Sequence, residues 1–181
     1  MNPEIMALAA NTKLLLMDVD GVLTDGKLYN IPEASGLMVE TKGFDSQDGI
    51  ALQWLHWNGI HTGVISGRIS PATEIRARQC KMKYVYQGHI EKIPILHEIL
   101  ADSQIDAQHV AYIGDDLTDI VVMRRVGFGI AVGNARPQVK QAARFVTEAA
   151  GGQGAVRETV ELILQAKGLW HDLLRKYEVS I

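Results

Sequence analysis

The sequence predicts an α/β fold with a mainly parallel sheet, on the basis of three observations. Short runs of large apolar residues recur along the chain, and their lack of alternation is typical of strands that are buried on both faces. Segments with helical signals separate these runs, so strand and helix alternate at least five times. Polar residues follow directly after several runs, beginning with Asp18 and Asp20 after the run from Leu14 to Met17.

The composition is that of an ordinary globular protein. The chain has 181 residues, 47% of them apolar and 22% charged, which suits a single domain over residues 1–181. A net charge of −3 and the lack of a basic cluster predict no nucleic-acid partner. No apolar run could cross a bilayer and no leader segment is visible, so we expect no membrane association and a cytoplasmic location. The single cysteine, Cys80, fits a reducing compartment and is interpreted as structural.

The segment after the first predicted strand leaves the alternating pattern. Residues 26–44 contain two short β-prone runs around the loop 32–36, which predicts a hairpin outside the main sheet. An exposed hairpin edge needs cover, and a partner subunit is one way to supply it. Asp48 then resembles the cap of a helix that runs to Asn58 and stops at Gly59.

The remaining elements alternate regularly. We expect strands at about 60–65, 83–87, 110–113, 128–132 and 145–147. We expect helices that begin at Pro71 after a Ser70 cap, near Lys92, after the segment 114–119, at Pro137 and near Val156. In the C-terminal tail, 150–181, the glycines of residues 151–154 indicate a flexible joint, and residues 169–181 continue as helix or fray.

Functional groups follow four of the predicted strands. In chain order they are Asp18 with Asp20, Ser66, Lys92 and Asp115 with Asp116. Taken singly, each has an ordinary interpretation as a turn residue, a surface lysine or a helix cap. In an open parallel sheet, however, the site lies off the carboxyl ends of the strands, so these groups should meet in one crevice. Their joint occurrence favours a functional site.

The residue types in this crevice point to phosphoryl transfer. Carboxylates without a histidine or cysteine partner suit a hard cation, and Mg²⁺ is the first choice. Asp18 and Asp115 are the expected side-chain ligands, with a main-chain oxygen near Asp20 and waters completing the shell. Lys92 would supply positive charge, and Ser66 with nearby backbone N–H groups would supply donors, for the phosphate oxygens.

One of the carboxylates should attack phosphorus. Covalent catalysis through an aspartyl phosphate splits the transfer into two easier steps. Asp18 suits the nucleophile, because it is held at the end of a strand beside the expected metal. Asp20 suits the general acid that protonates the leaving oxygen and later takes a proton from water.

These motifs resemble those of the haloacid dehalogenase superfamily of phosphohydrolases. The matching segments are 18–21, Ser66, Lys92 and 114–116 with Asp119. The resemblance implies a Rossmann-like three-layer sandwich with Asp18 as nucleophile and Asp20 as acid/base. It also implies Mg²⁺ on Asp18, Asp20 and Asp115, with Asp116 and Asp119 in supporting roles.

A narrower resemblance is carried by residues 20–26, 65–68, 86–88 and 151–158. They are similar to the small capless branch that contains phosphatases of 3-deoxy-D-manno-octulosonate 8-phosphate. That similarity implies a sugar-acid phosphate as substrate, a protruding hairpin and no large cap domain. It also implies a homotetramer in which the hairpin shapes the entrance of a neighbour's site and the glycine-rich tail closes over substrate.

The expected substrate-binding residues are Ser66, Gly67, Arg68, Lys92 and Arg157. The two arginines are candidates for the carboxylate or hydroxyls of the sugar acid, because an arginine fork matches a carboxylate. Both could instead form structural ion pairs.

Two other functions stay open at this point. One is a phosphatase of a nonulosonate (sialic-acid-type) 9-phosphate. The other is a non-catalytic protein that accepts a phosphoryl group for regulation or as a scaffold, similar in fold to receiver domains. Turnover separates the last from an enzyme, since a receiver keeps its aspartyl phosphate.

Overall fold

The computed structural model describes residues 2–179, and a six-stranded sheet lies at the centre of this part of the chain. The strands in chain order are β1 (Leu14–Met17), β2 (Tyr29–Pro32), β3 (Met38–Thr41), β4 (His61–Ile65), β5 (Tyr84–Tyr86), β6 (Val110–Gly114), β7 (Phe128–Ala131) and β8 (Phe145–Val146). The sheet order is β5-β4-β1-β6-β7-β8, and each neighbouring pair is parallel. The predicted α/β fold with a mainly parallel sheet is confirmed.

Helices flank this sheet in two groups. They are α1 (Pro3–Asn11), α2 (Ser46–Trp57), α3 (Pro71–Gln79), α4 (Lys92–Ser103), α5 (Leu117–Met123), α6 (Pro137–Ala142), α7 (Ala155–Ala166) and α8 (Trp170–Lys176). Helix α7 packs against α1, α2 and α8, whereas α5 packs against α4 and α6. The chain moves along the sheet in one direction from β1 to β5 and in the other from β5 to β8. Right-handed crossovers in opposite directions place their helices on opposite faces, which gives the three-layer sandwich. Within residues 2–179 no helix has the length and apolar character needed to span a bilayer.

Strand β1 occupies the centre of the core, and its four residues are completely buried. It pairs with β4 on one side and β6 on the other, so that Met17 lies between Val64 and Ile113. The chain proceeds from these two neighbours in opposite directions, which opens a crevice beyond their carboxyl ends. Asp18 follows β1 directly into that crevice.

The hairpin predicted for residues 26–44 is present. Strands β2 and β3 form their own antiparallel sheet, in which Tyr29 faces Thr41 and Pro32 faces Met38. All of β2 and the first half of β3 are exposed. Among the described residues, the segment between β1 and β4 contains only this hairpin, α2 and their connections, which agrees with the expected lack of a large cap domain. That residues 1–181 form one domain stays a prediction.

Two helix starts differ from the sequence prediction. The cap of α2 is Asp45, whose carboxylate accepts hydrogen bonds from the backbone N–H groups of Gln47 and Asp48. Asp48 is buried in the first turn instead. Helix α1 was not predicted, although Asn2 caps it and proline occupies its first position. Helix α8 shows that the chain after residue 169 continues as helix to Lys176, and the last two residues of the predicted tail lie outside the described residues.

The glycine-rich segment before α7 is packed tightly, and the prediction of a flexible joint was wrong. A Cβ on Gly151 would lie 1.7 Å from the carbonyl oxygen of Gly21, so only glycine allows this approach. The N–H of Gly152 donates to the carbonyl of Val22 at 2.8 Å, and that of Gly151 donates to Oδ1 of Asn134 at 2.9 Å. The segment therefore supports the loop that follows β1 from behind.

Candidate active site

A pocket of about 370 Å³ opens beyond the carboxyl ends of β1, β4 and β6. It is lined by Asp18, Asp20, Gly26, Ser66, Gly67, Arg68, Ile90, Lys92, Asp115, Asp116 and Thr118. The structure thus brings together the predicted site residues from all four strand ends. Of the predicted set, Asp119 lies buried beneath the pocket and Arg157 lies elsewhere.

An acidic cluster forms the floor of this pocket. Carboxylate oxygens of Asp18, Asp115 and Asp119 all lie within 4.8 Å of one another. The buried ammonium of Lys92 is 2.8 Å from Oδ2 of Asp18 and 2.7 Å from Oδ1 of Asp119. One ammonium neutralises only one of three carboxylates, so this cluster keeps an excess of negative charge.

Burial, and after it this excess of charge, shifts the pKa values of the cluster. Burial raises the pKa of Asp18 to about 6, although the charge of Lys92 opposes the shift. Burial likewise raises the pKa of Asp115 to about 7, and the carboxylates of Asp119 and Asp18 add to the effect. Burial lowers the pKa of Lys92, but these carboxylates outweigh it, so that its pKa is raised overall. A divalent cation would relieve the same repulsion.

Asp115 has the geometry of a metal ligand. Its Oδ1 is buried and accepts no hydrogen bond from any described residue, and a buried carboxylate oxygen without a partner is unfavourable unless a cation binds it. Its Oδ2 lies so close to Gly21 that a Cβ there would be 2.1 Å away, and the φ of +89° at Gly21 also requires glycine. The loop after β1 is thus shaped around this carboxylate, and Asp18 and Asp115 fit a magnesium site.

Asp119 is engaged in other contacts. Its Oδ1 accepts from Lys92 and from the hydroxyl of Tyr112, each at 2.7 Å. Its Oδ2 accepts from the backbone N–H groups of Asp115 and Asp116 at 3.0 and 3.2 Å. Asp116 caps α5 and forms a capping box with Asp119. Asp119 therefore supports Lys92 and the backbone at the end of β6.

The side chain of Asp20 is not part of the acidic cluster. Its Oδ1 forms an ion pair with Lys42, and its Oδ2 lies 4.0 Å from Nε of Arg68. The family resemblance named Asp20 among the metal ligands, and its side chain lies outside the cluster that would hold the ion. The alternative of a main-chain oxygen near Asp20 stays a prediction.

The loop after β4 is fixed by its backbone. The N–H of Ser66 donates to the carbonyl of Tyr86, and the carbonyl of Ser66 accepts from the N–H of His89, both at 2.9 Å. The buried Ser66 hydroxyl accepts a hydrogen bond from the N–H of Arg68 at 3.3 Å. Ser66 and its neighbours therefore present oriented polar groups to the pocket. The side chain of Arg68 is about half exposed and pairs with Glu40.

Arg157 does not reach the pocket. Its guanidinium carbon lies 4.0 Å from the ring centre of Trp54, and its Nε forms an ion pair with Glu161 one turn along α7. It lines a separate apolar groove with Trp170 and Leu173. The expectation that Arg157 binds substrate is not supported by this placement, and its contacts are those of the structural ion pair that the sequence left open as the alternative.

Sequence reasoning missed several residues of the site. Lys42 pairs with Asp20, Tyr112 supports Asp119, and Thr118 lines the pocket. The buried Thr24 hydroxyl accepts from the N–H of Gly26 at 3.2 Å and stabilises the loop after β1. Tyr112 had a usable signal, because a tyrosine in a fully buried strand needs a hydrogen-bond partner.

Comparison with known proteins places this site in a family. Residues 65–158 match the haloacid dehalogenase-like hydrolase family. A relative from Yersinia pestis, 3-deoxy-D-manno-octulosonate 8-phosphate phosphatase, is 40% identical over 164 residues, which are 91% of this chain and 86% of the relative.

Two solved structures have the same fold. The phosphatase of that name from Moraxella catarrhalis, in complex with a magnesium ion, a phosphate ion and KDO, is 38% identical with a TM-score of 0.91, covering 98% of this chain and 99% of that one. The cobalt-bound enzyme from Haemophilus influenzae is 36% identical with a TM-score of 0.83, covering 90% and 93%. The extent of these similarities, together with the acidic pocket, shows that the chain belongs to the haloacid dehalogenase-like hydrolases.

Proposed function

We propose that this protein is a Mg²⁺-dependent phosphatase that hydrolyses 3-deoxy-D-manno-octulosonate 8-phosphate to 3-deoxy-D-manno-octulosonate and phosphate. The observation that carries the proposal is the arrangement of Asp18, Asp115 and Lys92, in which two carboxylates with raised pKa values and one ammonium face a single pocket. The substrate is supported by relatives of that name, which are similar over most of the chain.

Asp18 and Asp115 would hold the Mg²⁺ ion, with a main-chain oxygen near Asp20 and waters. When bound, the ion would supply positive charge to the carboxylates and to the phosphate oxygens. Lys92 orients Asp18 through its 2.8 Å contact. Ser66, Gly67 and the adjacent backbone N–H groups bind phosphate oxygens.

The reaction proceeds in two balanced steps. An oxygen of Asp18 forms a bond to phosphorus while the bond from phosphorus to the sugar oxygen breaks, and Asp20 donates a proton to that leaving oxygen. A water then attacks phosphorus, the bond to Asp18 breaks, and Asp20 takes a proton from the water. Phosphate leaves and both aspartates return to their starting state.

The test is phosphate release from a panel of sugar-acid phosphates, with and without EDTA. We expect the octulosonate 8-phosphate to react fastest, EDTA to abolish turnover and Mg²⁺ to restore it. Asp18→Asn should retain less than about a tenth of the activity. Asp102→Asn is the matched control, because Asp102 lies on α4 and its carboxylate contacts, among residues 2–179, are with Tyr84 and Lys83.

Each other outcome contradicts a specific part of the proposal. Faster hydrolysis of a nonulosonate 9-phosphate would show that this ester, and not the octulosonate 8-phosphate, is the preferred substrate. An aspartyl phosphate that persists without turnover would indicate a phosphate-accepting regulatory protein. Activity of Asp18→Asn above about a tenth would exclude Asp18 as the nucleophile.

We propose further that the protein is a cytoplasmic homotetramer in which hairpins complete neighbouring sites. An isolated two-stranded hairpin is marginally stable, and this one exposes large apolar side chains, namely Leu28, Tyr29, Ile31, Leu37, Met38 and Val39. A concentration of exposed apolar side chains in one hairpin supports an interface with other copies. Light scattering of the purified protein tests the assembly, and a fully active monomer would refute it.

A further inference from the structure

The end of the hairpin carries two charged side chains toward the active site. Glu40 lies in β3 and Lys42 follows that strand by one residue. Residues two apart in an extended segment point to the same side. Lys42 accordingly pairs with Asp20, in the loop after β1, and Glu40 lies beside Lys42.

These residues form an ionic cluster with Asp20 and Arg68, here called the hairpin-base cluster. The ammonium of Lys42 pairs with Oδ1 of Asp20 and lies 3.6 Å from Oε1 of Glu40. Arg68 pairs with the other oxygen of Glu40, and its Nε is 4.0 Å from Oδ2 of Asp20. Negative and positive groups alternate, so each carboxylate of the cluster has a cation on either side.

Lys42 is held far more tightly than an ordinary surface lysine. Its side chain is only 3% exposed, whereas that of Lys27 in the same hairpin region is 70% exposed. Lysine is seldom buried to this extent without a specific partner, because burial costs solvation and conformational entropy. The contacts of Lys42 are with Asp20 and Glu40, and not with the acidic cluster around Asp115.

We propose that Lys42 is a positioning residue that holds the carboxyl group of Asp20 in the orientation required for proton transfer. The proposal rests on the role of Asp20 in the proposed function. Asp20 lines the pocket, and the ammonium of Lys42 holds one oxygen of its carboxyl group there. General acid–base catalysis requires this placement, because the transferring groups must be within hydrogen-bonding reach.

The test uses two aryl phosphate esters whose leaving groups differ in how much they depend on protonation. Phenyl phosphate has a poor leaving group that requires protonation, whereas 4-nitrophenyl phosphate releases a stable anion. The ratio kcat/KM reports the steps up to departure of the leaving group, so a slow second step does not obscure the comparison. Neither ester has a carboxylate that Lys42 could bind.

For Lys42→Met we expect kcat/KM to fall about tenfold or more with phenyl phosphate and less than about threefold with 4-nitrophenyl phosphate. Lys42→Arg should recover part of the loss. Lys27→Met is the matched control, since it removes an exposed ion pair with Asp25 and should change neither ester. If Lys42→Met does not fold, Lys42→Gln removes the charge with less disruption and should show the same selectivity for the poor leaving group.

Two results would overturn the proposal. An equal fall with both esters would assign Lys42 a purely structural role. Unchanged aryl esters together with a raised KM for the sugar-acid phosphate would show that Lys42 binds the substrate carboxylate. Failure of the proposed phosphatase activity is distinguishable, because the wild-type protein would then hydrolyse neither aryl ester, whereas a different sugar-acid substrate would leave the comparison of the two aryl esters unchanged.

Discussion

The buried carboxyl group of Asp48 should make the stability of the fold depend on pH. Asp48 is 1% exposed, and its Oδ1 accepts a hydrogen bond from the N–H of Arg157 at 2.7 Å. Through this bond Asp48 caps the first turn of α7 from the neighbouring helix α2. Its Oδ2 has no hydrogen-bond partner among the described residues. We predict that Asp48→Asn changes the free energy of unfolding more favourably at neutral pH than at acid pH, when each value is compared with that of the wild type.

The size of the expected change in stability follows from the pKa of Asp48. Burial raises the pKa of Asp48 from 3.8 to about 6, against the opposing hydrogen bond from the N–H of Arg157, and the nearby Asp45 adds to the rise. At 1.36 kcal/mol per pKa unit, the ionised form costs the folded state roughly 3 kcal/mol at high pH. The folded state keeps the proton to higher pH than the unfolded chain, so stability is lost as pH rises through this window. Between pH 4.5 and 7.5 the wild-type protein should lose about 2 kcal/mol through this group.

The assay is urea unfolding of both proteins at pH 4.5 and 7.5. Asparagine cannot ionise but keeps the acceptor for Arg157, so the free energy of unfolding of Asp48→Asn minus that of the wild type should rise by about 2 kcal/mol over this range. The titrations of Asp18 and Asp115 occur in both proteins and cancel in the difference. Asp48→Ala should show the same rise with pH. Its free energy of unfolding should be about 1 to 2 kcal/mol lower than that of Asp48→Asn at each pH, because alanine also removes the acceptor for the N–H of Arg157. A difference that does not change with pH would refute the reasoning.

Two further predictions concern Gly151, which packs against the loop after β1, and Arg157, which lies outside the pocket. Gly151→Ala should lower kcat more than about tenfold, because a Cβ 1.7 Å from the carbonyl of Gly21 must displace the loop that carries Asp18. Gly168→Ala, at a φ of +72° with open space around it, should cost about 1 kcal/mol of stability and leave kcat unchanged, and equal activity of both variants would contradict this account. Arg157→Ala should lower stability by about 1 kcal/mol through its lost contact with Trp54. Its KM for the sugar-acid phosphate should stay within about twofold of the wild-type value, and a larger rise would show that Arg157 binds substrate.

The features that the sequence predicted well are those that depend on local pattern. Each main-sheet strand lies within one residue or so of its predicted range, because a short apolar run between turn residues has few alternatives. The convergence of Asp18, Ser66 and Asp115 follows from strand topology alone, since all three come directly after neighbouring parallel strands.

The features that were missed depend on contacts between distant segments. Lys42 and Asp20 are 22 residues apart and meet only because the hairpin folds back on the loop after β1. Asp45 and Asp48 are both plausible caps, and the choice between them depends on the burial of Asp48 against the start of α7. The glycines near Gly151 indicate flexibility in isolation, whereas here their lack of side chains permits close packing.

The hydrogen bond from the N–H of Gly152 to the carbonyl of Val22 affects when, during its synthesis, the protein becomes catalytically active. A ribosome has made both aspartates of the first strand end more than a hundred residues before it makes the glycines that brace them. A nascent or proteolysed chain that ends before residue 150 contains the nucleophile but lacks the segment that packs against its loop. Catalytic competence therefore arrives late in translation, with the segment that enters α7, and partial chains are expected to be inert toward phosphate esters.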